Sequence, residues 1–336
     1  MAGDGKKHIH LFQTTAEHDA AYNGDQYVEP WVSYTVQTDS IGYNKFVRDY
    51  SQDYLTFEAI ESGTFTVRLH GTNKEGTILT SLSYSLDNGD TWTTSTTVET
   101  LNREIYIELE TTEISANDTV LFKGVGSAAH VSFTTSTEYN AYGNPMSLFY
   151  GDNFKNVTEL WYGCFMGMFE GSPVVSAENV YLGFTTLANH CYSDMFDGCT
   201  SLTKAPELPA TTLAESCYDY MFYDCTSLTT APVLPATTLA NYCYYYMFDG
   251  CTSLTKAPEL PATTLVSNCY NYMFYGCSNL NYIKAMFTTT PSTSYTQNWV
   301  NGVATTGTFV KNSAAQWVAT GTYGVPSEWT VETASA

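Results

Sequence analysis

Apolar positions in this chain follow two different periods. From Tyr54 to about Tyr139 apolar and polar residues alternate, in Thr64-Phe-Thr-Val-Arg-Leu-His70, Ser81-Leu-Ser-Tyr-Ser-Leu86, Arg103-Glu-Ile-Tyr-Ile-Glu-Leu109, Thr119-Val-Leu-Phe122 and His130-Val-Ser-Phe133. Asn, Gly and Asp fill the gaps. A period of two predicts half-buried strands, and several short ones at this spacing predict a β-sandwich.

Further on the pattern lengthens and repeats. Cys191-Tyr-Ser-Asp-Met-Phe-Asp-Gly-Cys199 returns at Cys217, Cys243 and Cys269, each time 26 residues later. A unit this short cannot bury its own apolar side chains, so copies must stack and share one core. In the second copy Leu213, Ala214, Cys217, Tyr218, Met221 and Phe222 recur at spacings of one, three and four, which predicts one apolar stripe on a helix. Thr211-Thr212 supplies an N-cap, Pro209 stays outside, and Gly or Asp at 198, 224, 250 and 276 supplies the stop. Cys225 to Pro232 reads as a short extended segment. Each coil is therefore expected to be strand, turn, helix.

The expected fold class is mixed: a small N-terminal segment, an all-β sandwich, then an α/β solenoid of 26-residue repeats with a C-terminal cap. The boundaries are 1–53 for the aromatic-rich opening segment, 54–140 for the sandwich, 141–287 for the repeats and 288–336 for the cap. Cys164, Met168-Phe169 and Leu187 mark a degenerate opening turn.

Thirteen basic residues stand against 34 acidic ones, a formal charge of −21. Such a chain repels nucleic acid and anionic lipid, so neither is expected as a partner. The first twelve residues hold no apolar run of secretory-signal length, and no window reaches a membrane span, so neither export nor membrane insertion is expected. Eight of the nine cysteines form four copies of Cys-x7-Cys in register with the repeat. They read as small apolar core residues, not as a zinc site, which favours tighter Cys-x2-Cys pairs with His. His8 and His10 alternate with Ile9 and Leu11 as on an exposed strand.

Catalytic constellations are absent from the sequence, so no enzyme activity, cofactor or metal is expected. Ser85-Leu-Asp87-Asn-Gly89-Asp-Thr91-Trp92 resembles the Asp-box of sialidases, and Arg48, Arg68 and Arg103 match the number of arginines in a sialidase clamp. A propeller carries several such boxes; a single one reads as a hairpin, with Asp87 tying the turn and Trp92 over it. The informative residues are those that differ between repeats. With the apolar stripe inward, the outward positions include Asn189, His190, Ser193, Asp194 and Asp197, then Asp219, Tyr220, Tyr223, Tyr242, Tyr245, Tyr246, Asp249, Asn271, Tyr272 and Tyr275. The last ten are the expected adhesion face, because rigid aromatics beside short polar groups suit sugar or protein contacts. The alternative is that tyrosine is surface filler in a chain with 27 of them.

From Met146 to Ala285 the aromatic-Gly-Cys turn running into Leu resembles the leucine-rich repeat of BspA-like bacterial surface proteins. Ala-Pro at 205–206, 231–232 and 257–258 replaces the family's usual Ile. Residues 288–336 resemble the cap that follows such repeats. Glu29-Pro-Trp-Val-Ser-Tyr-Thr35, with Ala20 to Gly24 before it and Tyr43-Asn-Lys45 after it, resembles an N-terminal segment of structural proteins of phages infecting Bacteroides-type bacteria. That second resemblance implies a virion anchor carried by Phe12, Tyr22, Tyr27, Pro30, Trp31 and Tyr34. Together they imply a non-enzymatic virion surface protein, a head fibre or capsid decoration. It would touch capsid or other virion proteins through its N-terminus, bind host glycan or protein through its repeats, and form a homo-oligomer, a trimer in that class. The rival readings are a BspA-like cell-surface adhesin and, on the single Asp-box, an enzyme acting on surface glycans.

Overall fold

In the computed structural model the described residues are 22–23, 26–27, 34–38, 44–72, 79–101, 104–126 and 130–334. The chain divides into two compact units, Met1–Asp49 and Tyr50–Ala336.

In the first unit β1 (Tyr22–Asn23) pairs antiparallel with β2 (Gln26–Tyr27), setting Tyr22 opposite Tyr27. There β3 (Tyr34–Thr38) pairs antiparallel with β4 (Asn44–Arg48), from Tyr34 opposite Arg48 to Thr38 opposite Asn44. His8, His10, Phe12, Pro30 and Trp31 lie outside the described residues.

The second unit is mostly sheet. Its alternating segments form β5 (Leu55–Ala59), β6 (Thr66–Thr72), β7 (Leu79–Ser85), β8 (Thr93–Ser95), β9 (Glu99–Leu101), β10 (Glu104–Glu110), β11 (Thr119–Gly126), β12 (His130–Thr134) and β13 (Tyr139–Gly143). A four-residue helix, α1 (Ser147–Tyr150), follows, then β14 (Val174–Val180), β15 (Tyr282–Ala285), β16 (Thr308–Lys311) and β17 (Thr330–Thr333). One sheet has the order β12-β6-β10-β9 and the other β14-β13-β5-β11-β7-β8. The buried residues of each period-two strand lie between them, with the Phe57 ring 4.6 Å from Phe133 across the core and 5.0 Å from Phe122. Each such ring contributes about 1.5–3 kcal/mol on burial.

The sandwich passes into the repeats without a break in hydrogen bonding. Pairing turns parallel where β13 meets β14. Parallel bridges then join Ser176 to Lys204, Lys204 to Thr230 and Lys256 to Tyr282, and β15, β16 and β17 continue as a parallel sheet. The side chains are just as continuous, because Phe169 packs against Phe133 at 5.7 Å on one side and Phe196 at 5.1 Å on the other. A single apolar cluster runs from Leu55 to Trp329.

Each repeat contributes the same side chains to that cluster. Tyr192, Tyr218, Tyr244 and Tyr270 form one column, with successive centroids 5.6, 5.8 and 5.9 Å apart. Phe196, Phe222, Phe248 and Phe274 form another. Every cysteine is buried and free; Cys225 and Cys251 Sγ donate to the Phe196 and Phe222 carbonyls at 3.1 Å. Beyond the last repeat the indoles of Trp299, Trp317 and Trp329 donate to the carbonyls of Gly324, Phe287 and Ala304, extending the same core.

The expected helix in each repeat does not form. From Ala214 to Cys225 alternate amides do different things. Cys217, Tyr223 and Cys225 N–H donate to the carbonyl three residues back, while Tyr218, Tyr220, Phe222 and Asp224 N–H donate to Cys243, Tyr245, Met247 and Asp249 of the next repeat. Every fourth residue has positive φ: 190, 194 and 198, then 216, 220 and 224, then 242, 246 and 250, then 268, 272 and 276. The segment is a run of tandem turns. A helix would satisfy every amide internally but leave none for the neighbour; here half of them hold the stack together, each worth about 1 kcal/mol net. Thr211-Thr212 therefore caps nothing; Thr212 bridges Thr186.

Candidate recognition face of the repeats

The turn segments expose the residues that vary. Positions 220, 246 and 272 fall in one column, and their tyrosine rings lie parallel. Tyr220 to Tyr246 is 4.7 Å and Tyr246 to Tyr272 is 4.3 Å between centroids, each with planes 6° apart. Tyr245 stands almost perpendicular to this ladder, 4.5 Å from Tyr246 and 5.7 Å from Tyr220. At that distance and angle its ring face covers the ladder's edges. Tyr242, at 5.4 Å from Tyr245, and Tyr223 and Tyr275, at 5.6 and 5.9 Å from Tyr220 and Tyr272, complete the group. Tyr242 and Tyr275 are exposed, while Tyr220, Tyr223, Tyr245, Tyr246 and Tyr272 are half-buried.

Of the residues expected to face outward, Ser193, Asp249 and Asn271 are buried instead. Asn271 is 2% exposed: its Nδ2 donates to Asn268 Oδ1 and the Thr293 carbonyl, and its Oδ1 accepts from Gln297 N–H at 2.7 Å. It ties one coil to the next. Asp249 is 7% exposed. Burial, then repulsion from Asp224, pushes it up to about 7. Asp197 is pushed up to about 6 by burial and by Asp194, Glu170 and Asp224. Asp219 rises to about 6, chiefly through burial, with His190 Nδ1 3.9 Å away.

The Asp-box is a tied hairpin. Asp87 accepts from Ser85 Oγ at 2.7 Å, from Thr91 N–H at 2.8 Å and from Thr91 Oγ1 at 2.5 Å, and Trp92 Nε1 donates to the Gly89 carbonyl at 3.0 Å. These bonds hold Asp87 down at about 2, Thr91's first among them. Lys123 Nζ lies 4.1 Å from the Trp92 ring centroid, closing the hairpin's outer side. Arg68 is held by Glu108 and stacks on Tyr106; Arg48 belongs to the first unit and Arg103 lies outside the described residues. Among the described residues no group of three or more His, Cys, Asp or Glu is arranged to hold a metal ion, and no helix is long and apolar enough to cross a membrane.

Residues 182–298 match the BspA type leucine rich repeat region, in six copies. This stretch therefore carries BspA-type repeats. It starts after the opening turn at Cys164 and ends beyond Ala285. No curated protein and no solved structure matches the chain significantly.

Proposed function

We propose that this is a non-enzymatic surface adhesion protein whose tandem-turn tyrosine face makes the contact. The observation that carries the reading is the cluster of seven tyrosines spread over three successive coils of a BspA-type repeat region. In this reading residues 141–287 are a leucine-rich-repeat solenoid, 288–336 its cap and 54–140 a spacer that also closes the other end. The tyrosines present ring edges and hydroxyls on a backbone fixed by coil-to-coil hydrogen bonds, so binding costs little ordering entropy.

The surface it is displayed on is a phage particle, through residues 1–53 and as an oligomer. This part rests on the resemblance of Glu29 to Thr35 to phage structural proteins. Display on a bacterial cell is the rival, favoured by the BspA-type repeats themselves. Antibody labelling separates them: signal on purified particles, lost when residues 1–53 are deleted, supports the virion. Signal confined to the envelope of uninfected cells overturns it.

A further inference from the structure

We infer that the partner this face takes is a positively charged protein segment, rich in lysine or arginine. The inference rests on the tyrosine face being the contact surface and names the chemistry it selects.

Charge is the first argument. The turn segments 163–171, 190–199, 216–225, 242–251 and 268–277 contain Glu170, Asp194, Asp197, Asp219, Asp224 and Asp249 and no lysine or arginine. Their one basic group is His190, beside Asp219. The lysines of the repeats lie on the strand ladder and are already engaged. Lys204 pairs with Glu178 at 2.7 Å and Lys284 with Glu259 at 2.9 Å. Lys256 sits over the Tyr282 ring, and Lys311 donates to the carbonyls of Ala315 and Trp317. An acidic glycan approaching the turn face meets uncompensated negative charge; a cationic side chain meets carboxylates waiting for a counter-ion.

Ring geometry is the second argument. A neutral sugar docks best on an open, flat aromatic face. Here the inner faces of Tyr220, Tyr246 and Tyr272 are used against each other, and one face of Tyr245 is used against their edges. The members the cluster leaves exposed are Tyr242 and Tyr275, with Asp224 exposed beside them. Phenol oxygens and carboxylates together suit an ammonium or guanidinium donor. The raised carboxyl at 197 agrees with this, because beside its burial it is raised by repulsion from Asp194, Glu170 and Asp224, which an arriving cation relieves. Lysine also keeps its charge where those groups ionise, whereas amino-sugar amines, which are weaker bases, are losing theirs.

The test uses the full chain immobilised at neutral pH and a lysine-rich peptide as probe. Its controls are the same peptide fully acetylated, a glutamate-rich peptide and a neutral dextran. Saturable binding of the lysine peptide alone is expected, weakening with salt. The variant Asp194→Asn, Asp197→Asn, Asp224→Asn should lower that affinity about tenfold, as three modest charge contacts imply. A control with the same charge change on the exposed residues Glu61→Gln, Glu113→Gln, Glu332→Gln should leave it unchanged. Equal loss in both triples, or equal binding of the acetylated peptide, overturns the inference. So does binding of dextran in place of the peptide. Cell adhesion that depends on the tyrosines without peptide binding overturns the charge assignment and leaves the adhesion reading standing. Circular dichroism of both triples confirms that folding is intact; the asparagines are isosteric, and Asn at 224 tolerates the positive φ that Asp224 has.

Discussion

Tyr246 and Tyr272 lie face to face, 4.3 Å apart and 6° from parallel, although each occupies a backbone region that bulky side chains avoid, at φ 54° and 59°. Placing a tyrosine there costs about 1 kcal/mol relative to glycine. Coil-to-coil bonds offset it: Tyr246 N–H donates to the Asn271 carbonyl at 3.0 Å and Tyr272 N–H to the Gln297 carbonyl at 2.8 Å. The stack adds about 0.5–1.5 kcal/mol per pair.

That balance is measurable. Tyr272→Gly loses the ring but sheds the strain, so it should be more stable than Tyr272→Ala by about 1 kcal/mol, opposite to their order in a helix. A double-mutant cycle between Tyr246→Ala and Tyr272→Ala should give a coupling of about 1 kcal/mol in urea unfolding. Additive losses would mean that the rings are neighbours without being partners.

The helical expectation failed for a reason visible in the same residues. Leu213-Ala214, Cys217-Tyr218, Met221-Phe222 and Cys225 recur every four residues. On a helix a strict four-residue step drifts about 40° each time, so by Cys225 the stripe would have wandered a third of the way round. Tandem turns repeat every four residues and keep it straight. Gly163, Gly167 and Gly171, all at positive φ, and the Gly, Asn or Asp at 194, 198, 224, 250, 268 and 276 were the second legible sign. By contrast the period-two strands were plain from sequence, because each needs only its own alternation. Burial of Asp249 and Asn271 was not legible, since it depends on where a neighbouring coil places its backbone.

The buried thiols should be inert. Burial pushes Cys199 up to about 12 and Cys251 well above the usual thiol range, so neither offers a thiolate at neutral pH. Ellman's reagent should label none of the nine cysteines before unfolding and all of them after. Rapid labelling of the native protein would contradict the shared core.

Stability should rise as pH falls from about 8 to about 6.5. The carboxyls of Asp249, Asp197 and Asp219 are raised in the folded state, so folding takes up protons as pH drops through their range. Their contribution is full below the unfolded value and lost above the folded one. His70, lowered to about 4 by burial and by His130, acts the other way only below the ordinary histidine range. Melting curves at the two pH values check this, and Asp249→Asn with Asp197→Asn should flatten the difference.

Phe169 joins the sandwich to the repeats, so its loss should be felt in both. Phe169→Ala should cost about 3–5 kcal/mol and lower the unfolding midpoints reported by Trp92 in the sandwich and by Trp299 beyond the last repeat. A shift confined to one probe would show that the two parts melt separately.

The central claim is that the tyrosine face makes the contact. Tyr242 and Tyr275 are its exposed members and Tyr245 stands outside the parallel ladder, so all three can be changed without removing a ladder ring. The direct measurement is retention of the wild-type chain and of Tyr242→Ser, Tyr245→Ser, Tyr275→Ser on a panel of bacterial and animal cells. The account predicts that a surface retaining the wild type releases the triple variant at unchanged melting temperature; equal retention of both would contradict it.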